Sequence, residues 1–172
     1  MKTQWSDRIE ECEEQFSTER NDEIRVQIQD LVIHLPVLEV GCGTQELKRF
    51  IPDGEYIGLD LTPEFEPDIV GDAQDLPLPD DRYPTVVTKN VLQHVPDWKE
   101  AISECARVSR MRTIHVERTH ESPTDVTHKE PVLRRRFYPA DFLETMKEEY
   151  DSAHMGPCYA DGRLTVFRGT HL

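Results

Sequence analysis

Lysine is scarce in this 172-residue chain: 6 lysines stand beside 14 arginines and 34 acids, leaving a formal net charge of -14. Such a surface repels phosphate backbones, so a bulk nucleic-acid partner is disfavoured. Long apolar runs are missing as well. Nothing approaches the roughly 18 residues a membrane span needs, and the N-terminus is charged from Lys2 with no apolar signal core. A soluble, cytoplasmic protein with no membrane partner is expected, as a monomer or homodimer. The four cysteines (Cys12, Cys42, Cys105, Cys158) form no CxxC pair, which excludes a disulfide framework or a zinc knuckle of standard spacing. His115, His120 and His128 with Glu117 likewise lack standard ligand spacing, so no metal is expected. Repeats, low-complexity segments and linkers are absent, and one domain spanning 1–172 follows.

What is present centres on Val37-Leu38-Glu39-Val40-Gly41-Cys42-Gly43-Thr44. A short apolar run ends in two glycines and a helix-like pattern follows, the order of a buried parallel strand turning into a helix over a ligand. Glycine accepts unusual φ values and lets the backbone approach that ligand. A second apolar strand, Tyr56–Leu61, carries Asp60 17 residues after Gly43. A carboxylate there can take both hydroxyls of a ribose. Ile69-Val70-Gly71-Asp72-Ala73 closes a third strand with an acid, and Val86–Val95 is a strand running into a polar loop and a helical turn.

Read in order as LEVGCGT, IGLD, GDAQDLPLPDDRYPTVV and NVLQHV, these segments resemble the class I S-adenosylmethionine-dependent methyltransferases, near their small-molecule group. The resemblance implies a Rossmann-like α/β fold: a seven-stranded, mostly parallel sheet with an antiparallel C-terminal hairpin and helices on both faces. It implies a helical cover over 1–35, a cofactor core over 37–117, and a substrate loop, last helix and hairpin over 118–172. Its cofactor is S-adenosylmethionine, with S-adenosylhomocysteine as product. Its cofactor residues would be Glu39, Gly41, Cys42 and Gly43 for the methionine half, Asp60 for the ribose, Leu61, Asp72 and Ala73 for the adenine, and Asn90 facing the methyl group. His94 would be either a general base or a tie to the cofactor's carboxylate. His128, in a segment similar to DxTHxxxFTPEEL, is a second catalytic candidate, with Arg136 and Tyr138 binding a small acceptor. That acceptor is anionic if Arg134-Arg135-Arg136 faces it; otherwise the triplet is a solvated face.

Three departures from the family pattern stand out. Gln45 occupies the usual third glycine, Pro84 replaces the aspartate that opens the fourth strand, and only eleven residues separate Asp60 from Asp72. The last cannot hold a full helix and predicts a single turn. Beyond the core, Trp5, Ile9, Cys12 and Phe16 trace one helix face; Ile24, Ile28, Leu31, Val32 and Leu35 trace another, ended by Pro36. Asp97 and Glu100 make a capping box, and Ser109–Arg112 a tight turn before a strand over Met111–Glu117. A loop is expected over His120–Val132, a helix from Pro139, and strands near 151–155 and 163–168 about Asp161-Gly162. Asn90 is followed by Val91-Leu92 and not by a Pro-Pro-aromatic run, which argues against methylation of a nucleobase amine. Two rival classes remain: a non-catalytic cofactor-binding partner, and an NAD-dependent oxidoreductase, which the missing third glycine disfavours.

Overall fold

The computed structural model describes Trp5, Glu10, Glu14 and residues 17–120, 127–129, 132–134 and 137–172. Nine strands are β1 (Val37–Val40), β2 (Tyr56–Asp60), β3 (Ile69–Val70), β4 (Tyr83–Lys89), β5 (Ser109–Arg118), β6 (Thr127–Lys129), β7 (Val132–Arg134), β8 (Ser152–Pro157) and β9 (Leu164–Thr170). Seven of them form one sheet in the order β3-β2-β1-β4-β5-β9-β8. The first five are parallel; β9 pairs antiparallel with both β5 and β8. This is the expected seven-stranded sheet with its antiparallel hairpin.

All four residues of β1 are buried, as a central parallel strand requires. Val86 and Val87 on β4 enter opposite core clusters, following the two-residue alternation of a strand. On one face, α2 (Trp98–Val108) and α3 (Pro139–Glu149) cover Leu38, Val40 and Val86. There Phe142 is fully buried and stacks on Phe167 at 4.1 Å and on Trp98 at 5.4 Å. On the other face, α1 (Glu19–Leu31) sets Ile24 and Ile28 beside Val37, Val87 and Ile114. Helices therefore lie on both faces.

Several local expectations are corrected. Helix α1 starts at the Thr18 cap, whose side chain accepts from Asn21 N, and it ends at Leu31, before Pro36 has any part in stopping it. Asp97 caps α2 through Glu100 N, but Asp97 N donates to Gln74 Oε1 at 2.8 Å, so the box closes through a distant loop. Strand β5 begins at Ser109 directly after α2, where a turn was expected. The 120–132 loop contains β6, which pairs with β7. The 5–16 helix falls mostly outside the described residues.

The shortened crossover is one 3-10 turn, Pro63–Phe65, as the spacing predicted. Gln45 adopts φ 57°, the left-handed conformation its glycine counterpart would take freely and a side chain takes at roughly 1–2 kcal/mol. Its Nε2 donates to Glu66 O at 2.7 Å, so the residue in the third-glycine position ties down the abbreviated crossover. Pro84 sits at a register shift between β4 and β5, a local irregularity that absorbs its missing donor.

Candidate active site

The carboxyl ends of β1, β2 and β4 open onto one cavity of about 970 Å³. That is where parallel sheets bind ligands, and it is at the upper end of the roughly 300–1,000 Å³ of small-molecule sites. Every cofactor residue named above borders it: Glu39, Gly41, Cys42, Gly43, Asp60, Leu61, Asp72, Ala73 and Asn90, with His94 beside them.

The glycine turn has a steric cause. Gly41 lies at φ +73°, and a Cβ there would meet Val91 Cγ2 at 2.1 Å. The turn is thus pressed against the loop after β4, a closeness only glycine allows. Gly43 N donates to Asp60 Oδ2 at 2.9 Å, and Thr62 N donates to Asp60 Oδ1 at 2.8 Å. Asp60 braces both loops while its carboxylate, with about four lone-pair sites, still has capacity for a ligand. Burial raises its pKa above the usual carboxylate range, against the lowering effect of those two amides.

Glu39 accepts from Tyr56 Oη at 2.6 Å, and burial pushes its carboxyl up to about 7. Asp72 accepts from Gln74 N at 2.9 Å and so shapes the turn that carries Ala73 to the cavity wall. Asn90 is left-handed at φ 57°, and its N donates to Val116 O at 2.8 Å. His94 ends a 3-10 turn, Leu92–His94; its Nε2 lies 3.2 Å from Gln93 Nε2, and its ring meets Trp5 edge-on at 5.0 Å. Trp5 also lines the cavity.

Tyr138 caps α3 and does not border the cavity. His128 pairs with Leu133 between β6 and β7; its side chain and Arg136 lie outside the described residues. Among the described residues, no cluster of three His, Cys, Asp or Glu could hold a metal.

One group escaped the sequence reading, and Glu117 entered it only as a member of a metal set that the spacing disfavours. Lys89, next to Asn90, lines the cavity. Glu117 is fully buried beneath it: Oε1 accepts from Val91 N and Leu92 N, each at 3.1 Å, and from Thr88 Oγ1 at 3.3 Å. Burial pushes Glu117 up to about 7 and neighbouring His115 down to about 3. The available signal was Thr-Ile-His-Val-Glu, a buried strand with polar residues on one alternating face.

S-adenosylmethionine fits this cavity. Asn90 and Thr44 border it, and among the described residues their buried Oδ1 and Oγ1 have no hydrogen-bond partner, as polar groups reserved for a ligand would. The Gly41–Gly43 backbone would lie under the methionine half, Asp60 at the ribose and Asp72 with Ala73 at the adenine.

Comparison with known proteins gives the same picture. Residues 38–115 match the family model described as a methyltransferase domain. A Haloferax volcanii protein assigned as a methyltransferase, in complex with the Trm112 methyltransferase activator, has a similar fold. Its TM-score is 0.77 at 14% identity, over 99% of this chain and 98% of that one. An S-adenosylmethionine-dependent methyltransferase of Thermotoga maritima gives 0.75 at 17% identity, covering 98% of each chain. The Burkholderia thailandensis 1,6-didemethyltoxoflavin-N1-methyltransferase, with bound 1,6-didemethyltoxoflavin and S-adenosylhomocysteine, gives 0.67 at 15% identity over 88% and 77%. No curated protein matches the chain. Among the described residues, no helix is long and apolar enough to cross a membrane.

Proposed function

From a chain that carries a methyltransferase domain over residues 38–115, on the class I S-adenosylmethionine-dependent methyltransferase fold, we propose methyl transfer to a small acceptor oxygen or nitrogen. One observation carries this reading: the glycine turn, Asp60, Asp72 and Asn90 all border a single cavity large enough for cofactor and acceptor together. S-adenosylmethionine supplies an electrophilic methyl group on a sulfonium. The chain's own task is alignment, and positioning contributes on the order of 7–11 kcal/mol in such reactions. Asn90, fixed by Val116 O and by the Glu117-bound loop, borders the space between donor and acceptor. His94 is the one histidine on the cavity wall among the described residues, and it takes the acceptor's proton where that acceptor is a hydroxyl.

Calorimetric titration with S-adenosylhomocysteine, run beside NADH, tests this. Micromolar binding of the first and none of the second is expected; the reverse makes the chain an oxidoreductase, and no binding of either sinks the reading.

The Haloferax neighbour supports a second proposal, that this chain works with a Trm112-type activator. Among the described residues β3 is an edge strand of the sheet, and Val70 on it is 53% exposed, apolar surface that the single-turn crossover leaves uncovered. Purified activator is expected to co-elute with the chain in gel filtration and to lose the Val70→Asp variant. Separate elution of the wild-type pair overturns it.

A further inference from the structure

The cavity wall carries positive charge that the overall composition does not foreshadow. Arg20, Arg25, Lys89, Arg118 and Arg163 all line it in a chain of net charge -14. Several have acidic partners: Arg20 and Arg163 share Asp161 at 2.7 and 3.1 Å, and Arg25 pairs with Asp22 at 2.8 Å. Lys89 differs. Its Nζ donates to Asn21 Oδ1, a neutral amide, at 2.8 Å, and among the described residues no carboxylate lies within ion-pair distance of it. An ammonium has three donors, so capacity remains. Burial, followed by repulsion from Arg25, lowers its pKa to about 8, while Glu39 and Glu117 act in the opposite direction. The fold therefore holds a lysine in a walled cavity, close enough to Arg25 to feel its charge. An anion placed against Lys89 would relieve that repulsion and gain charge-assisted hydrogen bonds.

We propose that Lys89, backed by Arg25, is the docking point for a carboxylate or phosphate of the methyl acceptor, so that the substrate class is a small anion. This rests on the methyltransferase reading and specifies its acceptor. The position suits the role: Lys89 ends β4, directly precedes Asn90 and borders the same cavity. The same chemistry has a second source, the carboxylate of the cofactor itself, and the test separates the two.

Inorganic phosphate is titrated at low ionic strength into protein saturated with S-adenosylhomocysteine. Wild type and Lys89→Arg are expected to bind it at millimolar concentration, and Lys89→Met at least tenfold more weakly. Thermal unfolding of each variant establishes that it is folded, and Lys89→Arg retains the charge should the methionine variant fail. Equal phosphate affinity in wild type and Lys89→Met overturns the proposal. So does a tenfold loss of S-adenosylhomocysteine affinity in Lys89→Met with methylthioadenosine, which lacks the amino-acid half, bound as before; that result assigns Lys89 to the cofactor. If wild type does not bind S-adenosylhomocysteine at all, the methyltransferase reading falls, and phosphate titration of the ligand-free protein still decides whether Lys89 holds an anion.

Discussion

Asp60→Ala is expected to weaken S-adenosylhomocysteine binding roughly 10- to 150-fold, the equivalent of about 1.5–3 kcal/mol for hydrogen bonds to a charged acceptor. Two losses combine in that figure. The ribose hydroxyls lose their acceptor, and Gly43 N and Thr62 N lose the carboxylate that holds the loops after β1 and β2 in place. Asp60→Asn keeps one accepting oxygen but turns the other into a donor that faces Gly43 N or Thr62 N. The asparagine variant is expected to lose thermal stability as well as affinity. Calorimetry on both variants, with unfolding curves alongside, makes the measurement. Unchanged affinity in Asp60→Ala would mean that the carboxylate serves only the two backbone amides.

Glu117 gives the second large effect, and it reads out in stability. Replacing it by alanine strands the amides of Val91 and Leu92, each an unmet buried donor worth about 1–3 kcal/mol, so a loss of about 3 kcal/mol is expected. Glu117→Gln keeps an accepting oxygen for those amides and removes the titration. The sign follows from the raised pKa: the carboxyl moves from 4.5 to about 7 on folding. Its contribution is therefore complete below pH 4.5 and is lost as pH rises through 7. Between pH 5.5 and 8 the wild type should lose on the order of 2 kcal/mol relative to Glu117→Gln. Glu39, raised in the same direction, and His115, lowered to about 3, are present in both proteins and cancel in the comparison. Urea unfolding of the pair at the two pH values measures this; parallel pH profiles would place the titration elsewhere.

The sheet was legible because its strands carry an unambiguous pattern. Val37–Val40 is apolar except for Glu39, Val86–Val87 is apolar, and Asp60 and Asp72 stand at the ends of their strands at distances that a parallel α/β topology brings to one edge. The eleven-residue crossover was equally readable, since chain length alone forbids a full helix there. Helix ends were less so. The apolar stripe of α1 continues in sequence to Leu35, but the last helical hydrogen bond runs from Val32 N to Ile28 O, and Leu35 lies exposed beyond it.

Local sequence thus determined the order of the elements, the glycine turn and the acids of the cofactor half, because each depends on residues close together in the chain. The cluster of cationic side chains on the cavity wall was decided by tertiary structure alone. Lys89 and Arg118 end β4 and β5, Arg163 lies in the turn before β9, Arg20 and Arg25 are on α1, and Glu117 reaches the Val91 and Leu92 amides across 25 or more positions of sequence. Their shared charge exists only where the strands converge. Electrostatic interaction depends on distance and burial, and neither is written in the spacing of residues along the chain.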